Sequence, residues 1–216
     1  MKTRSYLMPL LLLLVTAAPS AQIQHPLGTL REQATLQQEW LRKRLDTFLP
    51  GLMRKHGIDL WVVPTREYNE DPVFWAIVSP DTFAARRRTI YVFFDKCAAA
   101  GTAPSATCVE RIALGGTSQG GVFDARRSMR AAASNVGRGQ QAELWGDEQW
   151  MALKAVIEER NPRTIGINRS TVFAFSDGLS SGELHGMSAA LGAKWSARFR
   201  DADGAVPPAA HLSKKT

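Results

Sequence analysis

The spacing of apolar residues switches between helical and strand-like several times along the chain, and each switch marks an element. Over residues 30–56, Trp40, Leu41, Leu45, Phe48, Leu49 and Leu52 recur at helical intervals, and Arg42, Lys43, Arg44 and Asp46 fill the other face. Pro50 lies inside this pattern and predicts a kink or restart near Phe48; Gly57 predicts its end. Residues 58–63 are β-branched and aromatic and read as a buried strand stopped by Pro64. Residues 66–80 read as loop with a short helix. The clearest strand is 89–94, Thr-Ile-Tyr-Val-Phe-Phe, and 109–114 forms a second. The two predict a hairpin with an enlarged tip.

A second half follows the same logic. Asp147 is placed to cap a helix whose buried stripe is Trp150, Leu153, Val156 and Ile157, and Asn161-Pro162 ends it. Residues 164–167 predict a strand. Ser180 and Glu183 have capping-box spacing before a helix carrying Leu184, Met187 and Leu191, closed by Gly192. Residues 194–200 alternate, with Trp195, Ala197 and Phe199 on one side, and predict a half-buried strand. From 203 to 216 prolines, small residues and lysines show no apolar period, which predicts a disordered or aberrant tail. Helices alternating with strands predict an α/β fold, three-layer α/β/α, with a mixed sheet.

Composition narrows the class. Of 216 residues, 44% are hydrophobic and 22% charged, which excludes a disordered or collagen-like chain. The formal charge of +7 includes Lys2 and Arg4, which lie in residues 1–21, a basic start, an apolar run and small residues in the order of a secretory signal peptide. The remaining +5 is too mild to predict a nucleic-acid partner. No later stretch is long and apolar enough to span a membrane. The expected location is exported, periplasmic or extracellular. In an oxidising compartment Cys97 and Cys108 read best as a disulfide closing a loop of Ala, Gly, Thr, Ser and Pro; a zinc site or two idle thiols are the alternatives.

Few motifs carry chemistry. Gly116-Thr117-Ser118-Gln119-Gly120 matches the nucleophile elbow of serine hydrolases, with Asp147 or Asp177 and then His185 or His211 as partners in chain order. The helix that should follow the serine is not visible in the pattern, so a Gly-rich exit from the hairpin is the plainer reading. The histidines (His25, His56, His185, His211) are scattered and form no ligand pair. Arg86-Arg87-Arg88 could grip phosphate or form a solvated edge, and Asn168-Arg169-Ser170 is a glycosylation sequon in a host that uses one.

Four stretches taken in order resemble one family. They are LMRKHGIDLWVVPTREYNEDPVF (52–74), RRRTIYVFFD (86–95), LKAVIEERNPRTIGIN (153–168) and SSGELHGMSAALG (180–192). Together they are similar to the N-terminal domain of exported Xaa-Pro aminopeptidases, of the creatinase/prolidase "pita-bread" metallopeptidase superfamily. The resemblance implies a ribonuclease H-like version of the three-layer fold over residues 22–202, with no catalytic role of its own. In that family two divalent metal ions sit on a following catalytic domain, so no cofactor is expected in this chain, and the frame is expected to be truncated. The implied partners are a second copy of the chain or a full-length relative, with peptide substrate reached only through a catalytic domain. The loop Arg66, Glu67, Tyr68, Asn69 and Glu70, after the first strand at the sheet's carboxyl end, is the expected substrate- or partner-facing element. The alternatives are a stand-alone exported binding domain and a serine hydrolase using Ser118.

Overall fold

Alternation within the central strands sorts their side chains into two unlike faces. In the computed structural model, which describes residues 28–85, 87–127 and 146–211, β1 spans Leu60–Arg66, β2 Arg88–Asp95 and β3 Val109–Leu114. Even-numbered Leu60, Val62, Ile90, Val92, Ile112 and Leu114 face one side, joined by Ile165 and Ile167. Odd-numbered Trp61, Val63, Tyr91, Phe93 and Ala113 face the other. The period of two thus produces an aliphatic face and an aromatic face, each needing its own cover.

With β4 (Asp124–Arg126), β5 (Ile165–Ile167) and β6 (Phe199–Asp201) the sheet runs β4-β3-β2-β1-β5-β6. The β1–β2 and β2–β3 pairs are antiparallel, and β3–β4, β1–β5 and β5–β6 are parallel. The mixed sheet and the α/β class agree with expectation. The aromatic face is covered by α1 (Leu30–Lys43), α2 (Leu49–Lys55), α3 (Phe74–Ile77) and α7 (Val206–His211). The aliphatic face is covered by α4 (Asp147–Arg160), α5 (Ser181–Leu191) and α6 (Ala193–Ser196). Among the described residues no helix is long and apolar enough to cross a membrane. Residues 1–21, His25, Arg86, the stretch before Gly146 and the last five residues lie outside the described set, and with them the expected signal peptide.

Pro50 acts as expected. A proline cannot donate to the carbonyl four residues back and clashes with it, and here the chain widens into a π turn, Arg44–Phe48, before α2 restarts at Leu49. Gly57, at a φ of 63°, then closes α2. Pro64, by contrast, does not stop the first strand. Glu67 N–H donates to Arg87 O and Asp95 N–H to Asp59 O, so odd-numbered residues of β1 bond to β2. The nitrogen of Pro64 therefore points away from β2, on the side where β5 pairs only with residues 60–62. A missing donor costs nothing there.

Two further expectations are corrected. Residues 194–200 are not one strand: Trp195 is buried by the short α6, and β6 begins only at Phe199. Three alternating residues fit either period when the run is this short. Residues 203–211 are also not a disordered tail, because Ala205, Val206 and Ala209 are buried against the aromatic face through α7. Pro207 and Pro208 fall in the first turn of α7, where backbone N–H groups have no partner within the helix.

Candidate functional site

The loop after β1 is ordered by its own polar groups. Asn69 N–H donates to Arg66 O at 3.0 Å, and Ala85 N–H donates to Glu70 Oε1 at 3.1 Å. Arg66 Nη1 turns back to within 3.5 Å of Glu183 Oε1 on α5. Tyr68 sits at the tip with a φ of 66° and a ring 93% exposed. Of the residues expected to face a partner, Tyr68 projects, while Arg66, Asn69 and Glu70 hold the loop.

Ser118 does not form an elbow. It lies in an exposed turn where its hydroxyl accepts from Gly121 N–H at 3.3 Å, and β4 follows instead of a helix. That turn packs on the aromatic face through Val122 and Phe123, whereas His185 rides an exposed position of α5 over the aliphatic face. Asp177 accepts from Ser170 N–H at 3.2 Å, and the side chain of His211 lies outside the described residues. The sheet divides the candidate triad of Ser118, Asp177 and His185.

The neighbour of Ser118 matters more. Gln119 is buried at a φ of 49° and ties three elements together. Its Oε1 accepts from Ser79 N–H at 2.7 Å and from Thr82 Oγ1 at 3.0 Å, and its Nε2 donates to Tyr91 Oη at 3.1 Å. Its backbone carbonyl accepts from Gln38 Nε2 of α1 at 3.0 Å. Burial pushes the Tyr91 phenol well above its ordinary pKa, so it stays neutral and hydrogen-bonded.

Those bonds frame a surface cleft between α1 and the turn after α3. Its volume is about 250 Å³, and its walls are Trp40, Trp75 and Phe83. Gln37, Arg44, Ser79 and Thr82 supply its polar lining. Trp75 is 52% and Phe83 85% exposed, unusual for side chains of this size. Burial alone lowers the pKa of Arg44, which remains a cation at any physiological pH. The Ser79 hydroxyl is buried and makes no hydrogen bond among the described residues. The sequence pattern does not reveal this cleft, because Trp40 counts as helix stripe, Trp75 falls in the stretch read as loop with a short helix, and Phe83 falls in no element.

A second buried cluster lies at the carboxyl end of β5, where it meets the start of α3. Trp61 Nε1 donates to Asn168 Oδ1 at 2.6 Å, and Asn168 Nδ2 donates to both Asp71 oxygens at 2.9 and 2.8 Å. Asp71 Oδ1 also accepts from Val73 N–H at 2.9 Å at the start of α3. Burial raises the Asp71 carboxyl to about 6, against the pull of its donors. Asn168 is fully buried, so the sequon is not open to glycosylation in the folded chain. Arg88 is likewise no solvated edge: it contacts the Trp150 ring at 4.5 Å and pairs with buried Glu183 at 2.7 Å.

Cys97 and Cys108 form the disulfide, with Cα atoms 5.2 Å apart, and close the tip of the β2–β3 hairpin. A loop of this size contributes about 3 kcal/mol. Asp95 lies beside the two sulfurs, but its carboxylate is engaged by Arg54 and by Cys97 N–H, and the sulfurs are bonded to each other. This donor set is spent on protein partners. No family model, curated protein or solved structure matches the chain.

Proposed function

We propose that the chain is an exported, non-catalytic accessory domain of the Xaa-Pro aminopeptidase type, ribonuclease H-like in its detailed topology. In this reading it docks onto a second copy or onto a peptidase relative and helps control access to that partner's active site. The observation that carries this is the use made of the interior polar groups. Asp71, Asp95 and Glu183 are each committed to donors of this same chain and tie the start of α3, α2 and α5 to the sheet. The layered α/β architecture and the projecting Tyr68 support the same reading.

The test uses purified chain with manganese and an Xaa-Pro peptide, and separately with the catalytic domain of such a peptidase supplied in trans. No turnover by the chain alone and co-elution with the catalytic domain are expected. Turnover by the chain alone would overturn the non-catalytic role, and a failure to co-elute would remove the partnership. The aromatic cleft favours a second reading, a free-standing exported binding domain, which predicts ligand binding without any peptidase partner.

A further inference from the structure

We infer that the cleft between α1 and the turn after α3 is a binding site for a saccharide ring. The inference is independent of the peptidase reading, since it concerns binding by this chain alone. Three aromatic side chains reach one opening: Trp40 from α1, Trp75 from α3 and Phe83 from the loop before β2. Left to water, exposed aromatic area of this kind is costly, and its clustering around one depression marks a place built to be covered. The volume of about 250 Å³ lies below the usual range for drug-sized ligands and suits one small ring.

The polar lining selects the chemistry. Arg44 and the amide of Gln37 offer N–H donors, and Ser79 offers a buried hydroxyl that makes no bond among the described residues. Among the described residues no carboxylate lines the cleft, and the guanidinium repels a cation, so the lining does not suit a quaternary ammonium group. A ligand that satisfies both aspects has a flat C–H face for the indoles and an edge rich in oxygen acceptors. A pyranose has both. It stacks its apolar face on the exposed Trp75 and turns its hydroxyl, acetamido or carboxylate oxygens toward Ser79, Gln37 and Arg44.

The site is also held in shape before a ligand arrives. The turn bearing Ser79 and Thr82 is fixed by the side chain of Gln119, and α1 is fixed by Gln38 on the backbone of the same residue. Arg42 adds a bond from α1 to Gly120 O. Both walls therefore hang from one short segment, which reduces the ordering cost of binding.

The test is a titration of the purified chain with glucose, galactose, N-acetylglucosamine and glucuronate, read by tryptophan fluorescence, since Trp40 and Trp75 lie in the cleft. At least one of these sugars is expected to give a saturable change with a dissociation constant of about 1 mM. Trp75→Ala and Phe83→Ala, both at exposed positions, should keep the wild-type melting temperature and each weaken that binding about tenfold or more. The β1,4-linked trimer of N-acetylglucosamine then separates the sources: tighter binding than the single ring indicates a polymer, and equal binding a free sugar. Absence of saturable change with all four sugars at about 100 mM overturns the proposal. Unchanged affinity in either variant overturns it as well.

Discussion

The two helical layers rest on the same sheet but are held to it in different ways. Over the aliphatic face, α4 and α5 are regular helices: α4 opens on Gly146 with no side-chain cap, Asp147 being already inside the helix and not its cap, and ends on left-handed Asn161, while Ser180 caps α5. Their contacts are mainly Leu, Ile, Val and Met against Ile and Val of the strands. Over the aromatic face the cover beyond the capped helix α1 is broken into a π turn, the four-residue α3 and a helix opening on two prolines. Buried irregular backbone has N–H groups that no helix satisfies, and side chains must do so instead. Asp71 and Gln119 supply those bonds, to Val73 N–H and Ser79 N–H, and Asn168 holds Asp71 in place. The aliphatic layer has polar ties as well, from Gln149 to Arg88 O and Leu114 O and from Glu183 to Arg88, but they leave from within regular helices. Over the aromatic face side chains hold the backbone of turns, and the cleft opens there.

The largest effect should come from cutting the deepest anchor. Asn168→Ala removes both side-chain donors to the buried Asp71 carboxylate and the acceptor for Trp61 Nε1. A loss of about 4 kcal/mol in urea unfolding is expected, within the range for stripping a partner from a buried charge. A loss under about 1 kcal/mol would mean that packing alone holds α3, and the contrast between the layers would disappear.

Gln119→Ala comes next. It leaves Ser79 N–H, Thr82 Oγ1 and Tyr91 Oη without their partner, which should cost about 2 kcal/mol. Hydrogen exchange at residues 79–82 should rise more than exchange in α4; uniform acceleration across both layers would contradict local anchoring. This residue also shows where sequence reading fails. Regular elements leave a period, so the strands of the hairpin and the stripe of α4 were legible from Ile90, Val92, Leu153 and Val156. The cystine was legible from spacing and compartment. Anchors leave none: Gln119 looks like one polar residue in a Gly-rich stretch, and Asn168 looks like part of a surface sequon. Their partners lie 40 residues away at Ser79 and 97 at Asp71. Pro64 misled for a related reason, since only the strand pairing shows that its nitrogen faces no partner strand.

The anchored layer should also carry a distinctive pH dependence. The Asp71 carboxyl titrates near 6 in the folded chain, against an ordinary value of 3.8. Its contribution to stability is complete below pH 3.8 and lost as pH rises through 6, because in that window the folded state holds a proton that the unfolded state has released. The slope is up to about 1.4 kcal/mol per pH unit. His56 acts in the opposite sense: burial first, and then Lys55, lower its pKa, so stability falls as pH drops below its ordinary 6.5. The difference between wild type and Asp71→Asn cancels the His56 effect. That difference curve should slope between pH 4 and 6 and be flat only above about 7. A flat difference throughout would show that Asp71 keeps its ordinary carboxyl pKa in the folded state.

The smallest effect belongs to the regular layer. Ser180 Oγ accepts from Glu183 N–H at 3.4 Å, a long bond, and Glu183 does not complete a capping box, because its carboxylate is held by Arg88 and Arg66. Ser180→Ala therefore removes one weak cap bond from a helix whose place is fixed by Met187 and Leu191. A cost of about 1 kcal/mol or less is expected, with the cleft unaffected. The ratio to Asn168→Ala is the informative quantity. If the two substitutions cost the same, the helices of the aliphatic face depend on polar end-groups as much as α3 does, and the division of labour between the layers is wrong. If the cap costs a quarter as much, or less, α5 is held by its packing and by the Glu183–Arg88 pair and not by its end-group, whereas α3 depends on the side chains that hold its first turn.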